Sequence, residues 1–312
     1  MTNTHNESWL PYLSVGIGVT TVSVAAILIR LAQAESPSLT VAAWRMTLAT
    51  IVLAPLALTT RRSEIRSLTS RQWGSILGAG LLLALHFAAW ITSLAHTSVA
   101  ASVVLMTTHP IFVGLASHLV LRERLARGMT FALLTAIAGS VIIGLGDLGQ
   151  GAHRLQGDAL ALVGALAIAG YFLIGRRLRT RLSLLAYVFP VYAVAALALM
   201  TILLLSNLAP APRRAETWLW LLLMALGPQI LGHSSLNWAL RYLSATYVTI
   251  AILGEPIVST LLAWWILNEA PSPWAALGGA LILAGVGIAS QAERQTDPPQ
   301  TKEQNYETHQ RP

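Results

Sequence analysis

The chain contains no cysteine and few charged residues. Cysteine is absent from all 312 positions, which excludes disulfide frameworks, thiolate nucleophiles and cysteine-ligated zinc or iron–sulfur sites. Only 11% of the residues are charged and 55% are hydrophobic, whereas an average soluble domain is about 25% charged. So few charged groups cannot cover the surface of a soluble protein of this size, and so apolar a chain does not stay disordered. The composition therefore predicts a membrane protein.

Long uncharged apolar runs recur along the chain. A bilayer core of about 30 Å requires roughly 20 apolar residues per helix, and the sequence supplies ten such runs. They predict an all-α integral membrane protein with ten transmembrane helices, after a cytoplasmic N-terminus (1–9) and before a disordered tail (291–312). The runs are Leu10–Leu31, Leu39–Thr59, Trp73–Leu94, Ser98–Leu121, Met129–Leu145, Ala159–Ile174, Leu184–Leu205, Trp218–Leu240, Thr246–Leu267 and Trp274–Ser290.

The basic residues predict how these helices are oriented. With the N-terminus in the cytoplasm, fifteen Lys and Arg residues fall in inside loops or the tail, and three fall in outside loops. This distribution satisfies the positive-inside rule and predicts that both termini are cytoplasmic. The formal charge of +7 is then a signature of topology, and no nucleic acid partner is predicted. The three outside residues are Arg154, Arg213 and Arg214, whereas Arg30 and Arg45 lie within spans.

The two halves of the chain resemble each other. At an offset of 146 residues, Thr108-His109-Pro110-Ile111 aligns with Gly254-Glu255-Pro256-Ile257 without a gap, and Arg30 aligns with Arg176. These matches predict two five-helix repeats, 10–146 and 158–290, joined by an outside loop, 147–157. Because five is odd, equivalent helices would cross the membrane in opposite directions, as in many secondary transporters. A duplicated structural bundle without transport is the alternative.

Several motifs resemble the EamA-type domain of the drug/metabolite transporter superfamily. The resemblance covers residues 10–290 and implies ten helices, a central cavity between the halves, and movement of small metabolites, frequently export of amino acids or related compounds. The family pattern often has a glycine before the last glutamate of each half and an acidic residue before the first-half proline, where this chain has Arg122, Asn268 and His109. The motifs are His86-Phe-Ala-Ala-Trp90, Ser98-Val-Ala-Ala-Ser102, His109-Pro110, Leu121-Arg-Glu123, Gly232-His-Ser-Ser-Leu-Asn-Trp238, Leu253-Gly-Glu-Pro256 and Leu267-Asn-Glu269.

Two residues before prolines are candidates for substrate or proton binding. Glu255 lies near the middle of the ninth span, immediately before Pro256, and proline removes one backbone donor and frees a carbonyl one turn earlier. An ionisable group inside a span is a functional candidate by default. Glu255 is predicted to bind a proton or a cationic amine, or else only to stabilise the helix break. His109, before Pro110, is its counterpart in the fourth span, with a proton relay, a gate or simple packing as its possible roles.

Polar stripes on the third and eighth spans predict the walls of a cavity. Each stripe consists of residues spaced so that they share one helical face. Interhelical hydrogen bonding is the alternative interpretation, because it also places polar residues on faces that point into the bundle. The first stripe is His86, Trp90 and Ser93, and the second is Gln229, His233 and Asn237.

Two further candidates lie in the second and sixth spans. Arg45 matches an arginine that the resembling family commonly carries, and it is predicted to bind a substrate carboxylate or to anchor a helix. Tyr171 is a candidate for the cavity wall. Small residues recur in the fifth and tenth spans, Gly139 and Gly285 among them, and predict either tight helix packing within the chain or a dimer face.

These features together predict a secondary transporter in the plasma (inner) membrane. It would move a small amphiphilic metabolite, an amino acid or a related compound, by alternating access and in the direction of export, without a cofactor. Proton coupling and a monomeric or homodimeric state are left open. The alternative is an intramembrane enzyme, or a haem- or metal-binding membrane protein that uses His86 and His233. No Walker A string occurs, which excludes ATP-driven pumping by this chain. No H-E-x-x-H string of a zinc metalloprotease occurs either.

Overall fold

Helices account for all the regular structure in the part of the chain that is described. The computed structural model describes residues 9–116, 127–145, 154–268 and 273–296, and these residues contain no β-strand. In chain order the helices are α1 (Leu10–Val22), α2 (Ala25–Gln33), α3 (Ser38–Thr60), α4 (Arg62–Arg66), α5 (Ser70–Leu94), α6 (Val99–Met106), α7 (His109–Ala116), α8 (Arg127–Leu145), α9 (Arg154–Arg179), α10 (Leu184–Leu205), α11 (Ala215–Met224), a π-helix (Ala225–His233), α12 (Ser234–Ala239), α13 (Ala245–Ile252), α14 (Glu255–Leu267) and α15 (Pro273–Thr296).

Seven helical segments of the described residues are long and apolar enough to cross a bilayer. Some of them combine two or three consecutive helices, because a short break need not end a span. Helix α15 contains a shorter apolar stretch, Ala276–Ala289. The seven segments are Leu10–Gln33, Ser38–Thr60, Ser70–Leu94, Gln156–Arg179, Leu184–Leu205, Ala215–Ala239 and Ala245–Leu267.

The C-terminal helix ends later than the sequence predicts. Helix α15 continues to Thr296, so the predicted start of the disordered tail at residue 291 falls six residues too early. The stretch Gln-Ala-Glu-Arg-Gln is made of good helix formers, and Ala292 is buried beside Gly128 of α8. Residues 1–8, 146–153 and 297–312 lie outside the described residues, as do Glu123 and Glu269.

Three spans are interrupted near their middle. Helix α6 gives way to α7 at Thr107–Thr108, and α13 gives way to α14 at Leu253–Gly254. Pro110 and Pro256 are the second residues of α7 and α14, a position where the missing N–H of proline has no intrahelical partner to lose. The first span breaks at Ser23–Val24 without a proline, and there the Ser23 carbonyl accepts a 2.9 Å hydrogen bond from Oγ of Ser259.

Hydrogen bonds near the span ends recur at the same 146-residue spacing as the sequence motifs. Nη1 of Arg30 donates to the Leu94 carbonyl, and Nη1 of Arg176 donates to the Leu240 carbonyl, both at 2.8 Å. Ser98 caps α6 and Ser244 caps α13, each through the backbone N–H three residues later. The two halves therefore share local hydrogen bonding as well as motifs.

Helices α3 and α10, which are equivalent at this spacing, run antiparallel. At the start of α3, Oγ1 of Thr40 donates to the carbonyl of Ala209, shortly after the end of α10. Beyond the end of α3, the Glu64 carboxylate accepts hydrogen bonds from the backbone N–H and the hydroxyl of Ser183, the residue that precedes α10. The α2–α3 and α9–α10 loops consequently lie at opposite ends of α10, about 33 Å apart at 1.5 Å per residue.

Small residues bring α8 and α15 into backbone contact. A Cβ atom at Gly139 would lie 2.5 Å from the Gly278 carbonyl oxygen, and one at Gly285 would lie 2.8 Å from the Ala132 carbonyl oxygen. The glycines therefore serve helix packing within the chain at these two positions.

At the end of α14, Asn268 adopts the left-handed conformation, with φ of 57°. Asparagine tolerates this conformation better than most residues, which accounts for its presence where the family pattern often has glycine.

Candidate functional site

Six of the predicted site residues line one buried cavity among the broken spans. The cavity lies among α1–α3, α5, α6, α7, α9, the π-helix and α12–α14. The polar lining residues come from both halves of the chain and are all buried. They are Arg45, His86, Trp90, His109, His233 and Glu255.

Arg45 presents unpaired hydrogen-bond donors to this cavity. Its Nε donates a 3.1 Å hydrogen bond to Oε1 of Gln229, and its guanidinium carbon lies 4.2 Å from the centroid of the Phe87 ring. Both contacts fix the plane of the guanidinium, while Nη1 and Nη2 are buried with no hydrogen-bond partner. A fixed guanidinium with two free terminal nitrogens has the geometry that binds a carboxylate through two parallel hydrogen bonds.

Glu255 supplies a carboxyl group to the same cavity. It is the first residue of α14, where the positive end of the helix dipole favours a carboxylate. It is 2% exposed, and no ion pair shorter than 4 Å joins it to Arg45, although both belong to the described residues. Arg45 and Glu255 therefore face the same cavity without forming an ion pair with each other.

The three cavity histidines differ in which nitrogen is available. Nδ1 of His86 lies 3.0 Å from the Gly164 carbonyl oxygen, and Nδ1 of His109 lies 3.0 Å from the Met106 carbonyl oxygen. A carbonyl only accepts, so both Nδ1 atoms carry hydrogen and the Nε2 atoms are acceptors in the neutral rings. Nε2 of His109 and Nδ1 of His233 are buried without a partner. His86 and His109 therefore offer Nε2 as an acceptor, whereas no hydrogen bond fixes the tautomer of His233.

Aromatic and apolar side chains complete the walls. Trp90 stacks on His86 with ring planes 17° apart, and its indole Nε1 is a buried donor without a partner. Sequence analysis missed Phe87 and the apolar wall residues, because nothing in the hydrophobic pattern separates a cavity wall from a packed core. The apolar wall residues are Val22, Ala25, Met106, Ile168, Phe172, Leu236 and Ile252.

The remaining candidates adjoin the cavity without lining it. Gln229 holds Arg45, as described above. Nδ2 of Asn237 donates to the Tyr171 hydroxyl and to the His233 carbonyl, both at 2.6 Å. Ser93 is paired with Ser102 at 2.5 Å between hydroxyl oxygens, so it contributes to helix packing.

The π-helix is a feature that the sequence did not predict. It carries Gln229 and His233 on consecutive turns and contains Pro228, which cannot donate a backbone hydrogen bond. Helix α1 approaches it closely, because a Cβ at Gly232 would lie 2.8 Å from Cγ1 of Val22. Gly227 and Pro228 were the available signals, yet they equally predict a simple kink.

No group of three or more histidine and acidic side chains in the described residues is arranged to hold a metal ion. His86 and His233 do line the same cavity, and Nδ1 of His86 donates to a backbone carbonyl. The site is thus composed of an arginine, a glutamate, neutral acceptors and an aromatic wall. This composition suits a small polar ligand with an apolar portion.

The long apolar segments define a multi-pass membrane protein, and a cavity with polar residues on its walls lies among its helices. The sequence profile of the EamA-like transporter family matches the chain twice, over residues 9–145 and 155–291. The chain belongs to the EamA-like transporter family and is a membrane transporter. The starts of the two matches lie 146 residues apart, the spacing at which the motifs and hydrogen bonds recur.

Similar proteins also carry transporter names. The chain is 26% identical over 275 residues to the pseudopaline exporter CntI of Pseudomonas aeruginosa, covering 88% of this chain and 93% of that protein. It is 26% identical over 226 residues to an uncharacterized transporter of Archaeoglobus fulgidus, covering 71% of this chain and 75% of that protein. A crystal structure with 19% identity matches with a TM-score of 0.74 over 92% of this chain and 99% of that chain, and it supports the fold alone.

Proposed function

We propose that this transporter is a secondary carrier that moves a small zwitterionic metabolite, an amino acid or a related amphiphilic compound, out of the cell by alternating access. The observation that carries the proposal is the cavity with Arg45 and Glu255 on its walls and no ion pair between them. A carboxylate of the substrate binds the free nitrogens of Arg45. An amine of the substrate neutralises Glu255, and its apolar portion contacts Trp90 and Phe172.

The architecture we propose is ten helices in two inverted five-helix repeats, 10–146 and 158–290, with both termini in the cytoplasm. The antiparallel course of α3 and α10 supports it, as do the two family matches at the same spacing. Residues 147–157 would form the outside linker. The broken spans meet at the cavity, where rocking of one repeat against the other exposes the site to one side and then to the other.

The proposed direction is export, which agrees with the name of the related pseudopaline exporter CntI. Glu255 has a second proposed role as a proton carrier, because a carboxylic acid within a cavity can exchange a proton for the substrate amine. His109, which offers Nε2 to the same cavity, would pass that proton on. Both roles require that substrate and proton compete for one side of the cavity.

Flux into and out of proteoliposomes tests the proposal directly. The purified protein is reconstituted and offered a panel of amino acids, amino acid derivatives and neutral metabolites, with and without a pH gradient. We expect flux of at least one zwitterionic compound, and we expect Arg45→Gln and Trp90→Ala to reduce it at least tenfold. Unchanged flux in both variants would contradict the assignment of the cavity as the substrate site.

The role of Glu255 is separated by a second comparison. Glu255→Gln keeps the size of the side chain, but the amide can neither exchange a proton nor carry a negative charge. If Glu255 couples transport, the variant loses the acceleration by a pH gradient while exchange of labelled for unlabelled substrate persists. If Glu255 only binds the substrate amine, flux driven by the pH gradient and exchange of labelled substrate fall together. Glu216→Gln, at an exposed position in the first turn of α11, is the matched control and should behave as wild type.

A further inference from the structure

A second buried polar group lies beside the cavity, towards the α9–α10 loop. It consists of Tyr171, Tyr187 and Asn237, which we call the tyrosine group, and each of the three is fully buried. The Tyr171 hydroxyl accepts a hydrogen bond from Nδ2 of Asn237. The hydroxyl of Tyr187 and Oδ1 of Asn237 have no hydrogen-bond partner. The transport site described above uses neither of these two atoms.

Gly175 lets helix α9 come close to the two unpaired atoms. A Cβ built at this residue would lie 3.0 Å from the Tyr187 hydroxyl oxygen and 3.4 Å from Oδ1 of Asn237. Both polar atoms therefore lie against the backbone of Gly175, with no side chain of that residue to cover them. A neighbouring donor and acceptor are the partners that a water molecule requires once the surrounding helices separate.

The equivalent positions in the first half are apolar. At the 146-residue spacing, Tyr171 corresponds to Ala25, Gly175 to Ile29, Tyr187 to Val41 and Asn237 to Ile91. These four first-half residues are at most 1% exposed and belong to the apolar core. A branched isoleucine thus occupies the place where the second half has Gly175. At these four positions the correspondence in sequence is not matched by a correspondence in polarity.

The tyrosine group and the apolar residues at the equivalent first-half positions lie on opposite sides of the cavity. Ala25 and Arg45 line the cavity, so Ile29 and Val41 lie one turn nearer to the α2–α3 loop. Ile168 and Phe172 line it as well, so Gly175 lies one turn nearer to the α9–α10 loop. These loops are at opposite ends of α10, as shown by the contacts of Thr40 and Ser183.

We propose that the tyrosine group is a water-binding passage between the cavity and the cytoplasm, whereas the apolar residues at the equivalent first-half positions seal the outer side. The proposal rests on the proposed topology, which places the α9–α10 loop and its arginines in the cytoplasm. Opening the inner side lets water reach two polar atoms that otherwise lack partners, which is favourable. Opening the outer side exposes Ile29, Val41 and Ile91 to water, which is unfavourable.

The consequence is a preferred resting state of the empty carrier. Without substrate, the inner side opens to water more readily than the outer side. Such a carrier takes up its substrate from the cytoplasm before any other step. The asymmetry does not change the equilibrium distribution of a passive substrate, since it acts on the carrier and not on the solute. It determines which side of the cavity is accessible at rest.

Because the chain contains no cysteine, a single introduced cysteine can be labelled without background reaction of other thiols. We would compare two pairs of equivalent positions, Asn237→Cys with Ile91→Cys and Tyr187→Cys with Val41→Cys. Each variant is treated with a membrane-impermeant thiol reagent from the cytoplasmic side in inside-out vesicles and from the outside in intact cells. We expect the second-half cysteine of each pair to react from the cytoplasmic side at least tenfold faster than its first-half partner reacts from outside.

Equal rates within both pairs, or faster reaction of the first-half cysteines, would overturn the proposal. If one variant fails to fold, the other pair still decides. Reaction of the second-half cysteines from the outside would instead overturn the proposed topology. Labelling needs no substrate, so flux in the unlabelled wild type tests the transport proposal separately.

A variant at Gly175 gives an independent test. Gly175→Ala places a methyl group against both unpaired atoms, whereas Gly170→Ala, elsewhere on α9, would meet the Leu82 side chain and not the tyrosine group. In the Gly175→Ala background we expect labelling of Asn237→Cys from the cytoplasmic side to fall at least fivefold. Labelling that is unchanged, or that falls equally with Gly170→Ala, would show that the surface beside Gly175 is not part of the water passage.

Discussion

Nε of Arg45 donates a 3.1 Å hydrogen bond to Oε1 of Gln229, which leaves the two terminal guanidinium nitrogens as the unpaired donors of a buried cavity. This contact joins the second span to the π-helix, and thus one half of the chain to the other. Gln229 is therefore a positioning residue, because it directs the arginine and does not itself line the cavity. Two predictions about recognition follow from the pair.

Gln229→Glu is expected to weaken carboxylate binding. A glutamate at this position forms a buried ion pair with Arg45 and cancels the charge that a substrate carboxylate would meet. We expect the KM for a carboxylate-bearing substrate to rise about tenfold, equivalent to ~1.4 kcal/mol, while kcat changes less than threefold. Flux kinetics in proteoliposomes measure both constants. Gln229→Leu, which removes the contact without adding charge, should raise KM less, and equal effects of the two variants would contradict the electrostatic explanation.

Arg45→Lys is expected to reduce transport although the charge is kept. Lysine offers a point charge and cannot bind a carboxylate through two parallel hydrogen bonds or stack flat on Phe87. Loss of one charge-assisted hydrogen bond corresponds to about 1.5–3 kcal/mol, roughly a 10- to 150-fold loss of affinity. Substrate-dependent thermal stabilisation of the purified protein measures this affinity. Compounds without a carboxylate should lose little, and a uniform loss across the panel would indicate a structural role for Arg45.

Gly139→Ala is expected to destabilise the contact between α8 and α15. The added Cβ would lie 2.5 Å from a backbone oxygen of the neighbouring helix, and overpacking of this kind costs about 1–3 kcal/mol. Gly287 is the matched control, because a Cβ there has no atom within 4 Å. Gly287→Ala should be neutral or slightly stabilising, since alanine is the better helix former. Thermal unfolding in detergent measures the melting temperature of each variant. Similar melting temperatures for Gly139→Ala and Gly287→Ala would contradict the packing assignment.

Glu35, in the α2–α3 loop, joins the first half of the chain to the start of α11 in the second half. We expect this contact to be sensitive to acid. Its carboxylate accepts hydrogen bonds from the Thr217 hydroxyl and from the backbone N–H groups of Arg213 and Arg214. The Thr217 hydroxyl and the backbone donors lower the pKa of Glu35 below its ordinary value. A lowered pKa in the folded state means that the stabilisation is present above the unfolded value, about 4.3, and is lost as the pH falls below it.

Glu35→Gln should therefore lower the melting temperature at pH 7 and reduce the difference between pH 7 and pH 3. Unfolding scans in detergent across this range measure the effect. Glu216→Gln, at an exposed position nearby, serves as the control and should keep the wild-type pH profile. A wild-type profile in Glu35→Gln would show that the contact contributes nothing to stability.

Much of the fold follows from the sequence because the bilayer imposes simple rules. Runs of about 20 apolar residues predict spans since unsatisfied backbone groups are too costly in lipid. Seven segments of the described residues meet that rule, and the family match at residues 9–145 and 155–291 agrees with the predicted 146-residue spacing. The break before Glu255 has a local cause in Pro256. The break at Ser23 has no proline; there the Ser23 hydroxyl donates to the Val19 carbonyl, and the Ser23 carbonyl accepts from Ser259 of another span.

The sequence by itself determined that this is a helical, duplicated membrane transporter, and it supplied the polar residues of which six meet in one cavity. Only the tertiary structure decided which of those residues face empty space and which face each other. A polar side chain on an inward helical face satisfies the same pattern in either case, so Ser93 and Trp90 look alike in the sequence. Tertiary packing pairs the first with Ser102 and leaves the second unpaired. The difference depends on what the opposite helix places across the gap, which no local pattern contains.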